Sequence, residues 1–235
     1  MEGVFMSNTI TDRLVGMDPT LKAYNEGHWD TKGAVPQTVG EYHSFNDAGV
    51  ECETGEFLYG LIRVTQARRI LETGTHWGIG AAYMGLALKD NGIGVLDTLE
   101  FLPEIYVQAQ ERIKRLDLED HVKTYLIDAK DFPLTNKYDL IFLDTEPGTR
   151  FSELIRFAPL LNPGGFLFIH DLHRHMGQVQ EVHPDHPETP FWPYGRIPHT
   201  IKQMILDGEL RPFHFATPRG LTGFYKPHPE DHKWQ

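Results

Sequence analysis

Cysteine is nearly missing from this chain: Cys52 stands alone among 235 residues. A single thiol excludes an intrachain disulfide, so an apolar core must hold the fold, and the composition suits a reducing compartment such as the cytoplasm. No apolar run reaches the length needed to cross a bilayer. The first residues, 1–16, lack a basic stretch followed by an apolar one, so no secretory signal is expected there. Met6 is an alternative start, which would make residues 1–5 an addition. Basic charge is scarce as well: 22 Lys and Arg stand against 33 Asp and Glu, a net charge of −11. A field of that sign repels phosphate backbones and anionic lipid, which argues against nucleic-acid and membrane-surface partners. Internal repeats and low-complexity tracts are also absent.

What is present is ordinary for one α/β domain: 40% hydrophobic residues and 23% charged supply a large core and a solvated surface. Residues 1–50 are polar and rich in turn formers (Asp18-Pro19, Asn25-Glu26-Gly27, Lys32-Gly33, Asp47-Ala48-Gly49). They read as an N-terminal arm or cap with little core of its own, ahead of one domain over 51–235. Phe57, Leu58, Leu61, Ile62 and Val64 recur at helical spacing. A strand follows over 69–72, then a glycine loop, 74–80, that opens a helix running to Leu88 and stopped by Asn91-Gly92. Strand 94–99 ends at Glu100. Pro103 starts the next helix, whose buried stripe is Ile105, Ala109, Ile113 and Leu116. Strands over 122–127 and 138–143 end at Asp128 and Asp144. A helix over 151–161 is broken by Asn162-Pro163-Gly164-Gly165, and strand 166–169 runs into His170-Asp171.

Near-continuous apolar strands alternating with helices predict a mostly parallel sheet covered on both faces. A helix over 199–206 precedes two last strands, 213–216 and 221–225, joined around Pro218, Arg219 and Gly220. They form a C-terminal antiparallel hairpin and bring the sheet to seven strands.

Ligands of an open α/β sheet bind beyond the carboxyl ends of its strands. Glu72, the glycine loop, Glu100, Asp128, Asp144 and Asp171 all fall there, which points to a cationic or hydroxyl-rich ligand. The loop reads Glu72-x-Gly74-x-x-x-Gly78. It is neither the Gly-x-Gly-x-x-Gly of dinucleotide sites nor a P-loop, because no Lys-Ser or Lys-Thr follows. Its glycines permit close backbone approach, and Glu72 disfavours a pyrophosphate while suiting an amino or sulfonium group. A plain strand-to-helix turn is the competing reading. Glu100, with Phe101 after it, holds the place where a carboxylate accepts from a ribose diol. Asp128, directly or with the backbone of Ala129, is placed for an adenine amino group. For both acids the competing reading is a solvated strand end.

The stretch Thr54-Gly55-Glu56-Phe57-Leu58-Tyr59-Gly60-Leu61-Ile62 and then Ile70-Leu71-Glu72-Thr73-Gly74-Thr75-His76-Trp77-Gly78 resembles the start of catechol and caffeoyl-CoA type O-methyltransferases. The resemblance continues through Thr98-Leu99-Glu100, residues 138–144 and Leu161-Asn162-Pro163-Gly164-Gly165. It implies a Rossmann-like class I methyltransferase sandwich and S-adenosylmethionine as cofactor. Gly74, Thr75, His76 and Gly78 would line its methionine part, with Glu72 near the amino group. Glu100 and Phe101 would serve the ribose side, Asp128 and Ala129 would flank adenine, and Asp144 would lie at the same cleft. Asp144 and Asp171 match two carboxylates that bind a divalent metal, usually magnesium, which orients vicinal oxygens of a small-molecule acceptor. Family members are often homodimers.

Two positions depart from that pattern. The Asn usual after the second metal carboxylate is Leu172, and the Lys of catechol-type members is Pro147. His173 or His175 is then a candidate third ligand and Glu146 a further oxygen donor, while a histidine ligand would favour manganese, iron or zinc. Methyl transfer also requires the acceptor's proton to be removed or masked, by a metal or by a base. Asp144, His170, Asp171 and His173 stand where either could act. The thirteen histidines of the chain make a chance, solvated cluster the competing reading. Residues 172–198, with Phe191, Trp192, Tyr194 and Arg196, read as a lid and acceptor wall, an oligomer contact being the alternative. Tyr24, His28, Trp29 and Tyr42 of the arm could complete the same pocket. Two other functions stay open: a nicotinamide-dependent oxidoreductase, which the glycine spacing disfavours, and a non-catalytic cofactor-binding member.

Overall fold

Why the apolar runs become strands at the centre of the molecule follows from what covers them. In the computed structural model, which describes residues 9–21, 43–45, 49–171, 191–192, 195–196, 198–215, 217 and 219–234, the chain begins with α1, Ile10–Met17. It starts at a capping box in which Thr9 and Asp12 satisfy each other's backbone. Then come α2 (Cys52–Thr65), β1 (Arg69–Thr73), α3 (Ile79–Asn91), β2 (Val95–Glu100), α4 (Pro103–Arg115), β3 (Val122–Leu126), β4 (Tyr138–Leu143), α5 (Pro147–Phe157) and β5 (Leu161–His170). A short antiparallel pair, β6 (Phe191–Trp192) and β7 (Gly195–Arg196), stands apart from the main sheet. The chain closes with α6 (His199–Leu206), β8 (Arg211–Phe215) and β9 (Leu221–Tyr225).

The seven-stranded sheet has the order β3-β2-β1-β4-β5-β9-β8. Its first five strands are parallel, and β9 and β8 run antiparallel to their neighbours. The expected α/β sandwich and terminal hairpin are therefore present. Strand order reverses between β1 and β4, the switch point where such sheets open a crevice. Register brings the carboxyl ends together: Thr73 pairs with Leu99 on one side and Leu143 on the other.

Successive residues of a strand face opposite sides, and β4 shows the consequence. Leu140 and Phe142 join Leu58, Ile62, Tyr83, Met84 and Phe168 in one core layer. Ile141 and Leu143 join Leu154, Phe157, Leu167, Ile201 and Phe224 in the other. The arm is drawn into the first layer, where Leu14, Leu21, Phe45 and Val50 are buried. Val64 keeps the helical spacing of α2 but is 84% exposed, so it is not part of the packed face.

Boundaries differ most from the sequence expectation in α5, β5 and β8. α5 starts at Pro147, whose missing N–H is harmless in a first turn, and its end tightens into a 3-10 turn, Ala158–Leu160. β5 starts at Leu161 because Tyr138 pairs with Leu161 and then Leu140 with Phe166, so residues 162–165 bulge out of the ladder. Backbone bonds to Lys226 hold that bulge. β8 lies over Arg211–Phe215, two residues earlier than expected at its start. Among the described residues no helix is long and apolar enough to cross a membrane.

Candidate functional site

At the end of β1 the chain turns sharply. The N–H groups of Gly74 and Thr75 both donate to the carbonyl of Leu99, at 3.0 Å each, which fastens the turn to β2. Gly74 adopts φ +80°, and a side chain there would run into the carbonyl oxygen of Asp144. The turn thus lies against the end of β4 with no room for a methyl group. Between them is a small cleft, open to solvent, lined by residues including Val50, Glu72, Gly74, His76, Trp77 and Asp144.

Two carboxylates, Glu72 and Asp144, line this cleft, and a third, Glu100, is fastened to the backbone of the glycine turn beside it. Glu72 is buried and accepts from Thr98 Oγ1 at 2.6 Å. Burial first, and then the neighbouring Asp144 and Glu100, push its pKa well above the usual carboxylate range. Glu100 is also buried: Oε2 accepts from the N–H of His76, and Oε1 from the N–H groups of Phe101 and Leu102, all at 2.9 Å. One lone pair of Oε2 remains for a further donor. Burial lowers the pKa of His76, the neighbouring carboxylates only partly opposing it.

Beyond Asp144 lies a second, denser cluster. His170, fully buried at the end of β5, faces Asp144 Oδ1 through Nδ1 at 2.7 Å and Glu51 Oε2 through Nε2 at 2.6 Å. Burial alone would lower its pKa, but Asp144, Glu51 and Asp171 outweigh it and raise the value to about 10. Glu51, which also accepts from Thr54 Oγ1 at 2.6 Å, is raised by burial but held lower on balance by His170, Thr54 and Arg219. Arg150 Nη2 lies 3.4 Å from Asp144 Oδ1 and 3.1 Å from Asp171 Oδ2, and its other nitrogens donate to the carbonyls of Thr145 and His170. Arg219 grips Asp171 with two nitrogens, Nη2 to Oδ2 at 2.8 Å and Nε to Oδ1 at 2.7 Å. The second contact is too bent for a good hydrogen bond yet is a full ion-pair contact. Burial would raise the pKa of Asp171, and His170, Arg219 and Arg150 hold it well below normal. Asp171 sits at φ +54°, a left-handed conformation uncommon for a residue with a side chain.

Of the residues singled out from sequence, Glu72, Gly74, Thr75, His76, Gly78, Glu100 and Asp144 gather at the turn, and His170 and Asp171 lie next to Asp144. Phe101 follows Glu100 and is 57% exposed. Asp128 caps the 3-10 turn Ala129–Asp131, and its carboxylate engages the backbone and ammonium of Lys130. Ala129 is buried in the second core layer. His173, His175 and most of the expected lid lie outside the described residues, so the catalytic and metal roles considered for His173 have no geometry here. A histidine base at 170 is disfavoured, because both ring nitrogens are committed to carboxylates. Sequence reasoning missed Glu51, Arg150 and Arg219 as a set. Nothing local marks them, since each becomes meaningful only opposite its partner.

Residues 71–172 match a family described as a methyltransferase domain. A catechol O-methyltransferase of Niastella koreensis is 31% identical over 139 residues, which cover 57% of this chain and 62% of that protein. The chain spans 54% and 62% of the length of the first two curated relatives it matches. Among solved structures, the O-methyltransferase TomG from Streptomyces achromogenes, in complex with SAM, superposes with a TM-score of 0.60 at 21% identity over 77% of this chain and 82% of that one. An O-methyltransferase from Bacillus cereus in complex with SAH gives 0.57 at 19% identity over 77% and 84%.

Proposed function

We propose, from the match of residues 71–172 to a methyltransferase-domain family, that the cleft binds S-adenosylmethionine and that the chain methylates an oxygen of a small-molecule acceptor. One observation carries this reading: Glu72 is buried beside Asp144 and Glu100, a local excess of negative charge that an ammonium and a sulfonium would relieve. The glycine turn admits a ligand close to its backbone, Glu72 receives the amino group, and Glu100 keeps an acceptor lone pair for the ribose. Phe101, Asp128 and Ala129 form the adenine side.

Held by Glu72 and Glu100, the cofactor would supply an electrophilic methyl group on a sulfonium, open to attack by a lone pair of the acceptor oxygen. The acceptor's proton leaves to water or a carboxylate such as Asp144. The protein's own share is to hold the two reactants in line, which by itself removes a large part of the barrier. Gly49 and Val50 line the cleft, so the end of the N-terminal arm contributes to its wall beside the domain over 51–235; residues 172–198 are the proposed acceptor side.

Titration with S-adenosylhomocysteine tests the reading. It should raise the melting temperature of the wild-type protein, and Glu100→Ala should weaken binding by at least about tenfold, on the order of one lost charge-assisted hydrogen bond. No shift at millimolar ligand, or saturable binding of a nicotinamide dinucleotide instead, would remove it.

A further inference from the structure

Among the described residues, Asp144, His170 and Asp171 are the group whose donor atoms lie close enough together, within 4.8 Å, to hold a metal ion. The surroundings do not fit one. Asp171 Oδ2 already takes a guanidinium nitrogen from Arg150 at 3.1 Å and another from Arg219 at 2.8 Å. Its Oδ1 lies 2.7 Å from Arg219 Nε, an ion-pair contact without a hydrogen bond, so a guanidinium group stands against both oxygens of Asp171. Asp144 Oδ1 takes His170 Nδ1 at 2.7 Å and Arg150 Nη2 at 3.4 Å. Neither ring nitrogen of His170 offers a lone pair, since each faces a carboxylate oxygen.

Charge leads to the same conclusion. Asp144 and Asp171 are largely buried, and the two guanidinium groups beside them are 7% exposed. A carboxylate pair that recruits a dication has to be short of positive charge, and this one is not. A divalent ion added here would either expel two buried arginines or sit uncompensated in a low-dielectric site.

We propose that Arg150 and Arg219 stand between Asp144 and Asp171 in the place of a divalent cation, so that this chain carries a protein-built, metal-free version of the site. The inference rests on the methyltransferase reading for its meaning but not for its measurement. It has a chemical consequence: with no ion to chelate neighbouring oxygens, the acceptor needs no vicinal pair, and a lone hydroxyl or carboxylate suffices.

The experiment is manganese titration of the chelator-treated full chain, followed by the electron paramagnetic resonance signal of free Mn²⁺, with S-adenosylhomocysteine binding measured on the same samples. Wild type should show no saturable site below millimolar Mn²⁺. Arg219→Gln, and separately Arg150→Gln, should open the site and tighten Mn²⁺ binding by about tenfold or more, roughly the size of one unbalanced charge contact; adding Asp171→Asn should reverse it. Saturation of wild type at micromolar Mn²⁺, abolished by Asp171→Asn, overturns the inference. So does a folded Arg variant, still binding S-adenosylhomocysteine, that gains no Mn²⁺ affinity. Loss of S-adenosylhomocysteine binding in wild type sinks the cofactor reading instead and leaves the manganese result standing.

Discussion

A histidine with both nitrogens occupied cannot take a proton from anything. His170 is in that position, locked between Glu51 and Asp144, and its job is to hold those carboxylates in place. Its folded pKa of about 10 exceeds the ordinary 6.5. The stability it contributes is therefore complete below about pH 6.5 and is lost as pH rises through about 10. His170→Gln should cost about 3–5 kcal/mol near neutral pH, the range for breaking a buried ion pair. It should also flatten the decline in stability across that window. Urea unfolding of wild type and variant at several pH values measures both. Equal slopes for the two proteins would refute the assignment. Sequence placed His170 at a strand end but not its role, because residues 51 and 144 come from elements far apart in the chain.

At the level of elements, the glycine turn and the helix ends follow from local backbone chemistry, and they were legible. Gly92 closes α3 at φ +69° with open space where a methyl group would stand, whereas Gly74 combines φ +80° with close approach to the carbonyl of Asp144. Gly92→Ala should cost about 1 kcal/mol, the left-handed penalty alone. Gly74→Ala should cost roughly 3 kcal/mol, because the overpacking adds to the strain, and should weaken S-adenosylhomocysteine binding by prising β1 from β4. Chemical denaturation and ligand titration of both variants separate the two effects; similar losses in both would contradict the close approach. The start of β5 was not legible. Its bulge depends on pairing with Tyr138 and on backbone bonds to Lys226, neither visible in the local pattern.

Across the whole molecule, the arm is coupled to the cleft. Asp18, fully buried, takes the Nε of Arg112 at 3.3 Å and of Arg115 at 3.1 Å, and Arg112 in turn donates to the carbonyl of Trp77 in the glycine turn. The contacts run from the arm to α4 to the glycine turn. Asp18→Asn should lower stability by about 3 kcal/mol and, by freeing Arg112, weaken S-adenosylhomocysteine binding several-fold. Calorimetric titration of a folded variant decides it, unchanged affinity meaning that the arm is only structural.

Apolar periodicity and turn formers, read without any neighbours, determined the order of strands and helices, the glycine turn and the row of acids at the strand ends. Those features depend on interactions within a few residues. Only the tertiary structure decided what each acid faces: Glu72 a cleft, Glu100 the backbone of the glycine turn, Asp128 a lysine two residues on, and Asp144 and Asp171 a pair of arginines. A carboxylate's chemistry is set by the charge opposite it, and here that charge arrives from as far away as Arg219, which reaches back 170 positions to the carbonyl of Gly49.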